Sequence, residues 1–254
     1  MILGELIKNI KPAYKSIKFN NIRFNSKDCK TNDIFFSIQG NKLKGNNYIK
    51  DAIKNGSKII ISNLNFEGFN KEKILFIKNK NPREALAEAA SNFYKKQPKN
   101  IIALTGTNGK TSISNFFYQI LSLSKKKVAA IGTLGVLSKK IKLKTNNTTI
   151  DPIKMHQILQ KLKNLNIDNV IIEASSHGLK QHRLDGLNLK TALFTNLSRD
   201  HLDYHKTFKD YLNSKLILFD KLLLNKGNII FENGISQEKE LKKISKKKKL
   251  KIHK

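Results

Sequence analysis

The chain has no tryptophan, a single cysteine and few acidic residues. One cysteine, Cys29, excludes an internal disulfide and an all-cysteine metal site. No run of about 18 apolar residues occurs, so the sequence offers no membrane-spanning helix. The opening stretch MILGELIKNIKPAYK has no continuous apolar core and no small-residue cleavage site. A secretory leader is therefore not expected, and a cytoplasmic location with no membrane partner is the expectation.

Acidic residues number 19 against 49 basic ones, a formal charge of +30. Taken alone, this excess points to nucleic acid or to an anionic surface. Only Arg23, Arg83, Arg183 and Arg199 are arginines, and the lysines are spread along the whole chain beside abundant asparagine and isoleucine. An AT-rich genome writes that composition at unconstrained surface positions. Compositional bias is thus the stronger explanation, ahead of nucleic-acid binding and of a phosphate-rich substrate.

What the chain does have is enough apolar residue, 39% of 254, to bury one large core or two ordinary ones. Residues 1–97 read as a first α/β unit. "DIFFSI" (33–38), "KIIIS" (58–62) and "KILFI" (73–77) are short β-rich runs, and "NNYIKDAIKNG" spaces Ile49, Ala52 and Ile53 as a helix does. "NPREALAEAASNFYKK" (81–96) predicts a helix with Asn81 as N-cap and Pro82 in the first turn. "QPKN" then breaks the pattern and marks a boundary at 97/98.

From there strands alternate with helices. The strands are "IIALTG" (101–106), "KVAAIGT" (127–133), "NVIIEAS" (169–175), "TALFTNLS" (191–198) and "GNIIFEN" (227–233). The helices are "SISNFFYQILSLS" (112–124), "DPIKMHQILQKLKNLN" (151–166) and "TFKDYLNSKLILFDKLL" (207–223). Such alternation predicts a parallel sheet covered by helices, with ligands at the carboxyl ends of its strands. Residues 98–237 form this second unit. Residues 238–254, a lysine run with few apolar residues, are expected to be a solvated, disordered tail or, less favoured, a polyanion-binding arm.

Three strand ends carry chemistry. "LTGTNGKTS" (104–112) places a glycine loop between a strand and a helix, where backbone N–H groups and the helix dipole hold phosphate. It is shorter than the usual G-x-x-x-x-G-K-[ST], since position 104 is leucine. Lys110 can reach β- and γ-phosphates, and Thr111 can offer a hydroxyl to Mg2+. Glu173 lies where a hard cation would be ligated, although a lone strand-end Glu is more often simply exposed. Ser175 and Ser176 lack a G-x-S-x-G elbow, which argues against serine hydrolysis. His201 and His205 stand four apart as zinc ligands do, but the H-E-x-x-H glutamate and a third ligand are missing.

Together "TGTNGKTS", "NNTT" (146–149), "EASSHGLKQHR" (173–183), "FTNLSRDHLDYH" (194–205) and "YLNSK" (211–215) resemble the Mur ligases of peptidoglycan synthesis, above all their UDP-N-acetylmuramoyl-tripeptide synthetase (MurE) branch. The resemblance implies a small N-terminal UDP-binding α/β domain and a parallel-sheet, phosphate-loop ATP-binding domain. It implies a ligase that uses ATP and Mg2+ to join an amino acid to UDP-MurNAc-L-Ala-D-Glu through an acyl phosphate. Gly106, Thr107, Asn108, Gly109, Lys110, Thr111 and Ser112 would hold ATP. Thr111 and Glu173 would hold one Mg2+, and His201 would serve a second. Lys215 matches the lysine that the family carbamylates into an anionic metal ligand, so Lys110, Lys215 and His201 are the implied catalytic residues. Asn147, Thr148, Thr149, Ser175, Gln181 and Arg183 match positions for the muramoyl peptide. Phe24, Ser26, Asn41, Lys42 and Leu43 match positions near the uridine, although Asn25-Ser26-Lys27 stands where the family usually has D-S-R.

The resemblance runs from about residue 20 to 235. The family's remaining central domain and third domain find no match beyond that point, so the expectation is a truncated central domain, inactive alone; a truncated gene product, a split enzyme whose separate partner chain supplies the rest, and a partial sequence are the origins left open. A binding module without turnover is the alternative.

Overall fold

The computed structural model describes residues 1–40 and 44–254, which divide into two units, Met1–Tyr94 and Lys95–Lys254. The first contains α1 (Leu3–Leu6), β1 (Ile22–Arg23), β2 (Ile34–Phe36), α2 (Ile49–Lys54), β3 (Ile59–Ser62), β4 (Gly68–Phe69), β5 (Leu75–Lys78) and α3 (Pro82–Phe93). Its strands run in the order β1-β2-β3-β5-β4, parallel except for β4. The apolar runs at 34–36 and 59–61 are buried throughout, as strands covered on both faces must be. α3 starts as its sequence dictates. The Asn81 side chain accepts from Glu84 N–H, Pro82 opens the first turn, and Ala85, Ala87, Ala89 and Ala90 are buried.

The second unit contains β6 (Asn100–Thr105), α4 (Lys110–Leu123), β7 (Val128–Gly132), β8 (Gly135–Ser138), β9 (Lys142–Leu143), α5 (Pro152–Asn164), β10 (Asn169–Glu173), α6 (Ser176–Lys180), β11 (Leu189–Phe194), α7 (Phe208–Ile217), β12 (Leu223–Phe231), α8 (Glu238–Lys248) and β13 (Lys251–His253). The strand order is β13-β12-β11-β6-β10-β7-β8-β9. Every pairing from β13 to β7 is parallel, and β8 and β9 fold back as an antiparallel extension. β6 therefore sits between strands that lie on opposite sides of it, and the chain leaves it at a topological switch point, where such sheets bind ligands. Alternate residues of β6 serve opposite faces. Ile101 and Ala103 join the large core with Leu159 and Leu162 of α5, Phe219 after α7 and Leu241 of α8, while Leu104 meets Ile113 and Phe117 of α4.

Three features depart from the expected pattern. The second unit begins three residues before the 97/98 break, because the Gln97 side chain accepts from Asn188 N–H at 3.0 Å and donates to Gly186 O at 2.8 Å. The helix expected over 207–223 ends at Ile217 and continues as a wide π-turn, Leu218–Leu222.

The third departure corrects the expectation of a disordered tail. Residues 238–254 form α8 and β13, and β13 pairs with β12 through Asn228–Lys251, Ile229–Ile252 and Ile230–His253. The apolar residues are few but correctly spaced. Leu241 is fully buried, and Ile244 packs beside it. The lysines take the solvated side or find carbonyls and carboxylates. Lys248 Nζ donates to Asp220 O and Leu223 O, and Lys247 Nζ lies 2.8 Å from Asp220 Oδ1.

Two predictions follow from this packing. Leu241→Ala is expected to lower unfolding stability by roughly 2–5 kcal/mol, read from the urea midpoint of the second unit; an unchanged midpoint would return the segment to a solvated tail. His156 of α5 is fully buried, with Nε2 donating to Asp185 O at 3.0 Å and Nδ1 left without a partner among the described residues. Burial holds its pKa below the ordinary value. The unfolded chain gains this proton as pH falls through about 6.5 and the folded chain resists it, so stability is full above that pH and declines below it. His156→Gln should flatten that acid limb in a pH series of thermal midpoints.

Candidate functional site

β6 delivers the chain into the glycine loop at 106–109. At Gly106 an added Cβ would lie 1.8 Å from Thr195 Oγ1, so only glycine fits against the loop after β11. Gly109 adopts φ +82° and precedes α4 with no side chain to cap it. The first-turn N–H groups of α4 are therefore turned toward a cavity, where the helix dipole favours an anion. The loop after β11 clamps this conformation. Asn196 O accepts from Thr107 N–H and Asn196 Oδ1 from Asn108 N–H, both at 2.9 Å, and Thr195 Oγ1 donates to Asn108 O at 2.7 Å.

Glu173 closes β10 and is buried rather than exposed. Its Oε2 accepts from Thr111 Oγ1 and Thr133 Oγ1, each at 3.0 Å, and its Oε1 accepts from Ser114 Oγ at 3.1 Å and Thr133 N–H at 3.2 Å. A buried carboxylate needs such donors. An added Cβ on Gly132 would lie 2.1 Å from Oε1, so that glycine makes the room. Thr111 and Glu173 thus present a pair of hard oxygen donors beside the loop, the donor type that Mg2+ prefers.

Two lysines converge on one carbonyl. Lys110 Nζ donates to Gly106 O and Thr107 O at 2.8 Å, and Lys215 Nζ donates to Gly106 O at 2.7 Å. Lys215 is almost wholly buried, with its amine 4.3 Å from the centre of the Tyr211 ring. Burial, and next the charge of Lys110, bring its pKa down to about 7. Burial also lowers Lys110, opposed by Glu173 and Asp200.

The facing wall comes from β10, α6 and the segment before α5. Thr149 Oγ1 donates to Glu173 O at 2.8 Å and accepts from Ser175 N–H at 2.9 Å. Ser175 caps α6, accepting from Gly178 N–H. Arg183 donates to Thr149 O and to Gln181 Oε1, and Gln181 Nε2 donates to Tyr204 Oη at 3.1 Å. Beyond them lies an aromatic cluster. The His177 ring sits 4.0 Å from Tyr204, 4.9 Å from His201 and 5.5 Å from His205.

These parts enclose a cavity of about 310 Å³. Thr107, Asn108, Gly109, Lys110, Thr111, Ser112, Thr148, Ser175, His201 and Lys215 of the expected set line it. Gly106, Thr149, Glu173, Gln181 and Arg183 are not part of this lining, and Asn147 is exposed, its carbonyl accepting from Thr145 Oγ1 at 3.2 Å. Phe24 and Ser26 belong to the first unit, where Phe24 is exposed and Ser26 is the buried first residue of a turn capped by Asn25. Asn41, Lys42 and Leu43 lie outside the described residues. Thr133, Tyr211 and Ser176 also line the cavity and were not singled out as binding residues by the sequence. Their signals were faint: Thr133 follows a strand, and Tyr211 is one helical turn before Lys215. Glu173→Ala should cost about 1–3 kcal/mol of stability, because Thr111, Ser114 and Thr133 lose their acceptor. A thermal midpoint equal to that of the unaltered chain would show that the carboxylate does not organise the site.

Comparison with known proteins agrees with this geometry. Residues 104–254 match the Mur ligase middle domain and residues 18–94 match the catalytic domain of the Mur ligase family. A UDP-N-acetylmuramoyl-L-alanyl-D-glutamate–2,6-diaminopimelate ligase of Clostridium tetani is 39% identical over 97% of this chain and 51% of its own length. A solved structure of a ligase with that same name superposes with a TM-score of 0.84 at 26% identity, covering 99% of this chain and 51% of its own. The MurF ligase from Thermotoga maritima in complex with ADP shares the fold, at a TM-score of 0.60 and 17% identity over 92% of this chain and 49% of its own. The chain spans about half the length of the curated relatives it matches. It belongs to the Mur ligase family.

Proposed function

We propose that this member of the Mur ligase family is part of an ATP-dependent ligase that joins an amino acid to the D-glutamate carboxylate of UDP-MurNAc-L-Ala-D-Glu. One observation carries the reading: the glycine loop, the Thr111–Glu173 oxygen pair and the buried Lys215 amine meet around a single cavity. In this reading residues 106–112 bind ATP, with loop and first-turn N–H groups facing its phosphates. Thr111 and Glu173 hold Mg2+, His201 serves a second ion, and these ions supply neutralisation of phosphate charge.

Lys110 then stabilises the phosphoryl group as the substrate carboxylate takes it. The carboxylate becomes an acyl phosphate as ADP leaves; the incoming amine attacks its carbon, loses a proton to solvent, forms the amide and releases phosphate. Thr148, Thr149 and Ser175 orient the muramoyl peptide, with Arg183 and Gln181 bracing them from behind. The first unit holds the uridine end through Phe24, Ser26 and residues 41–43. Lys215, with its pKa brought down to about 7, keeps a substantial neutral fraction at neutral pH. Its nitrogen can attack CO2, losing a proton to solvent and gaining an anionic carbamate beside the metal-binding residues. The relatives are about twice as long, so contacts to the amino acid, and full turnover, involve polypeptide outside these 254 residues, in the same or a separate chain.

Calorimetric titration of this chain with UDP-MurNAc-L-Ala-D-Glu and with a Mg-ATP analogue tests the proposal. Saturable binding of both is expected, and Lys110→Ala should weaken the nucleotide by about tenfold to a hundredfold, as loss of one charged phosphate contact does. Binding of the UDP substrate without any nucleotide binding would favour a substrate-holding module instead. Binding of neither by a folded chain would overturn the reading.

A further inference from the structure

His205 lies outside the roles described so far, yet its side chain is closed off from solvent between α6 and α7. Its Nε2 is 3.0 Å from Ser176 Oγ. Its Nδ1 is 3.4 Å from Ser214 Oγ and 3.5 Å from Asp210 Oδ2. Ser214 Oγ already donates its proton to Asp210 O at 2.7 Å, so toward the ring it can only accept. The ring proton is thereby fixed on Nδ1, facing Ser214 and the Asp210 carboxylate. Nε2 is left as an acceptor for the Ser176 hydroxyl.

The resulting chain, Ser176–His205–Asp210, has the order of a nucleophilic triad, in which the carboxylate sets the tautomer of the imidazole. Here it is closed in: Ser176 is only 2% exposed and His205 is not exposed at all. What it joins is more telling. Ser176 is the first residue of α6, next to Ser175 on one cavity wall. Ser214 and Asp210 lie on α7, whose next residue after Ser214 is Lys215, the amine bound to Gly106 O. The same helices are also joined by the exposed pair Lys180–Asp210 at 2.6 Å, a kind that stabilises little, and by core packing of Leu179 with Leu212 and Leu216.

We propose that His205 is a positioning residue: by accepting from Ser176 and donating to Ser214 and Asp210, it locks α6 onto α7 and so holds the Lys215 amine at the phosphate loop, opposite Ser175. The proposal rests on the reading of this cavity as a ligation site. Its test does not depend on ligation or on nucleotide binding.

The folded chain, in bicarbonate-free buffer, is acylated briefly with an N-hydroxysuccinimide ester, and Lys215 labelling is read by peptide mass against the exposed Lys209. Unaltered protein should protect Lys215. Ser176→Ala, a mild change at a helix start, should raise Lys215 labelling about fivefold with Lys209 unchanged, the population shift from losing one buried hydrogen bond. His205→Ala should do the same or more. His205→Gln, whose Oε1 can accept from Ser176 in place of Nε2, should restore protection, which a general loss of stability would not. If folded Ser176→Ala and His205→Ala proteins protect Lys215 as well as the unaltered chain does, the proposal fails. It also fails if a fluorophosphonate probe labels Ser176, since the chain would then serve a nucleophile. Lys215 exposure in the variants alongside absent nucleotide binding in the unaltered chain would leave the positioning role standing while the ligase reading fell.

Discussion

The second unit is organised around one buried anion. Glu173 is withdrawn from water at the end of a central strand, a placement that is costly unless donors surround it. The donors come from two different parts of the chain: Thr111 and Ser114 in the first turns of α4, and Thr133 just after β7. Its own backbone carbonyl holds Thr149 on the far side. A single carboxylate therefore ties the glycine loop's helix, a neighbouring strand end and the facing wall of the cavity into one frame. Gly132 is the concession that lets it fit.

The two lysines complete the frame from the opposite side. They share the Gly106 carbonyl, and two ammonium groups so close together in a buried place repel one another. The conflict is settled unequally. Asp200 supports both charges, and Lys110 has Glu173 as well, whereas Lys215 is the more deeply buried amine and bears the larger depression of its pKa. The same neighbourhood thus contains one lysine whose charge an acidic partner supports and another that burial pushes toward the neutral amine. Neither property belongs to lysine in isolation.

Much of this was legible in the sequence. The strand–loop–helix around "LTGTNGKTS" is present as β6, the glycine loop and α4, and the N-caps at Asn81 and Asp151 stand where side-chain oxygen and proline predicted them. The motifs at strand ends do converge, because a parallel sheet sends all its carboxyl ends to one edge. What was not legible depends on partners distant in sequence. Glu173 reads as a strand-end cation ligand, and nothing in "NVIIEAS" reveals the three hydroxyls that enclose it. His205 resembled a stray zinc ligand until Ser176 and Asp210 stood on either side. The last residues were misjudged for a different reason. Composition averages over a helix, and a stripe as thin as Leu241 and Ile244 is swamped by the lysines around it.

Those lysines have a use in the sheet that net charge alone does not suggest. Among the described residues the eight-stranded sheet is bounded by β9 on one side and β13 on the other. Both edge strands are short, exposed and begin with lysine, Lys142 and Lys251. Unpaired strand edges invite other chains to add on, and short strands with charged side chains discourage this. The repulsion between two such edges acts over the Debye length, about 8 Å at physiological ionic strength, and shrinks as salt is added. A compositional habit that reads at first as affinity for polyanions thus also works as colloidal insulation, keeping copies of an open sheet from annealing to one another.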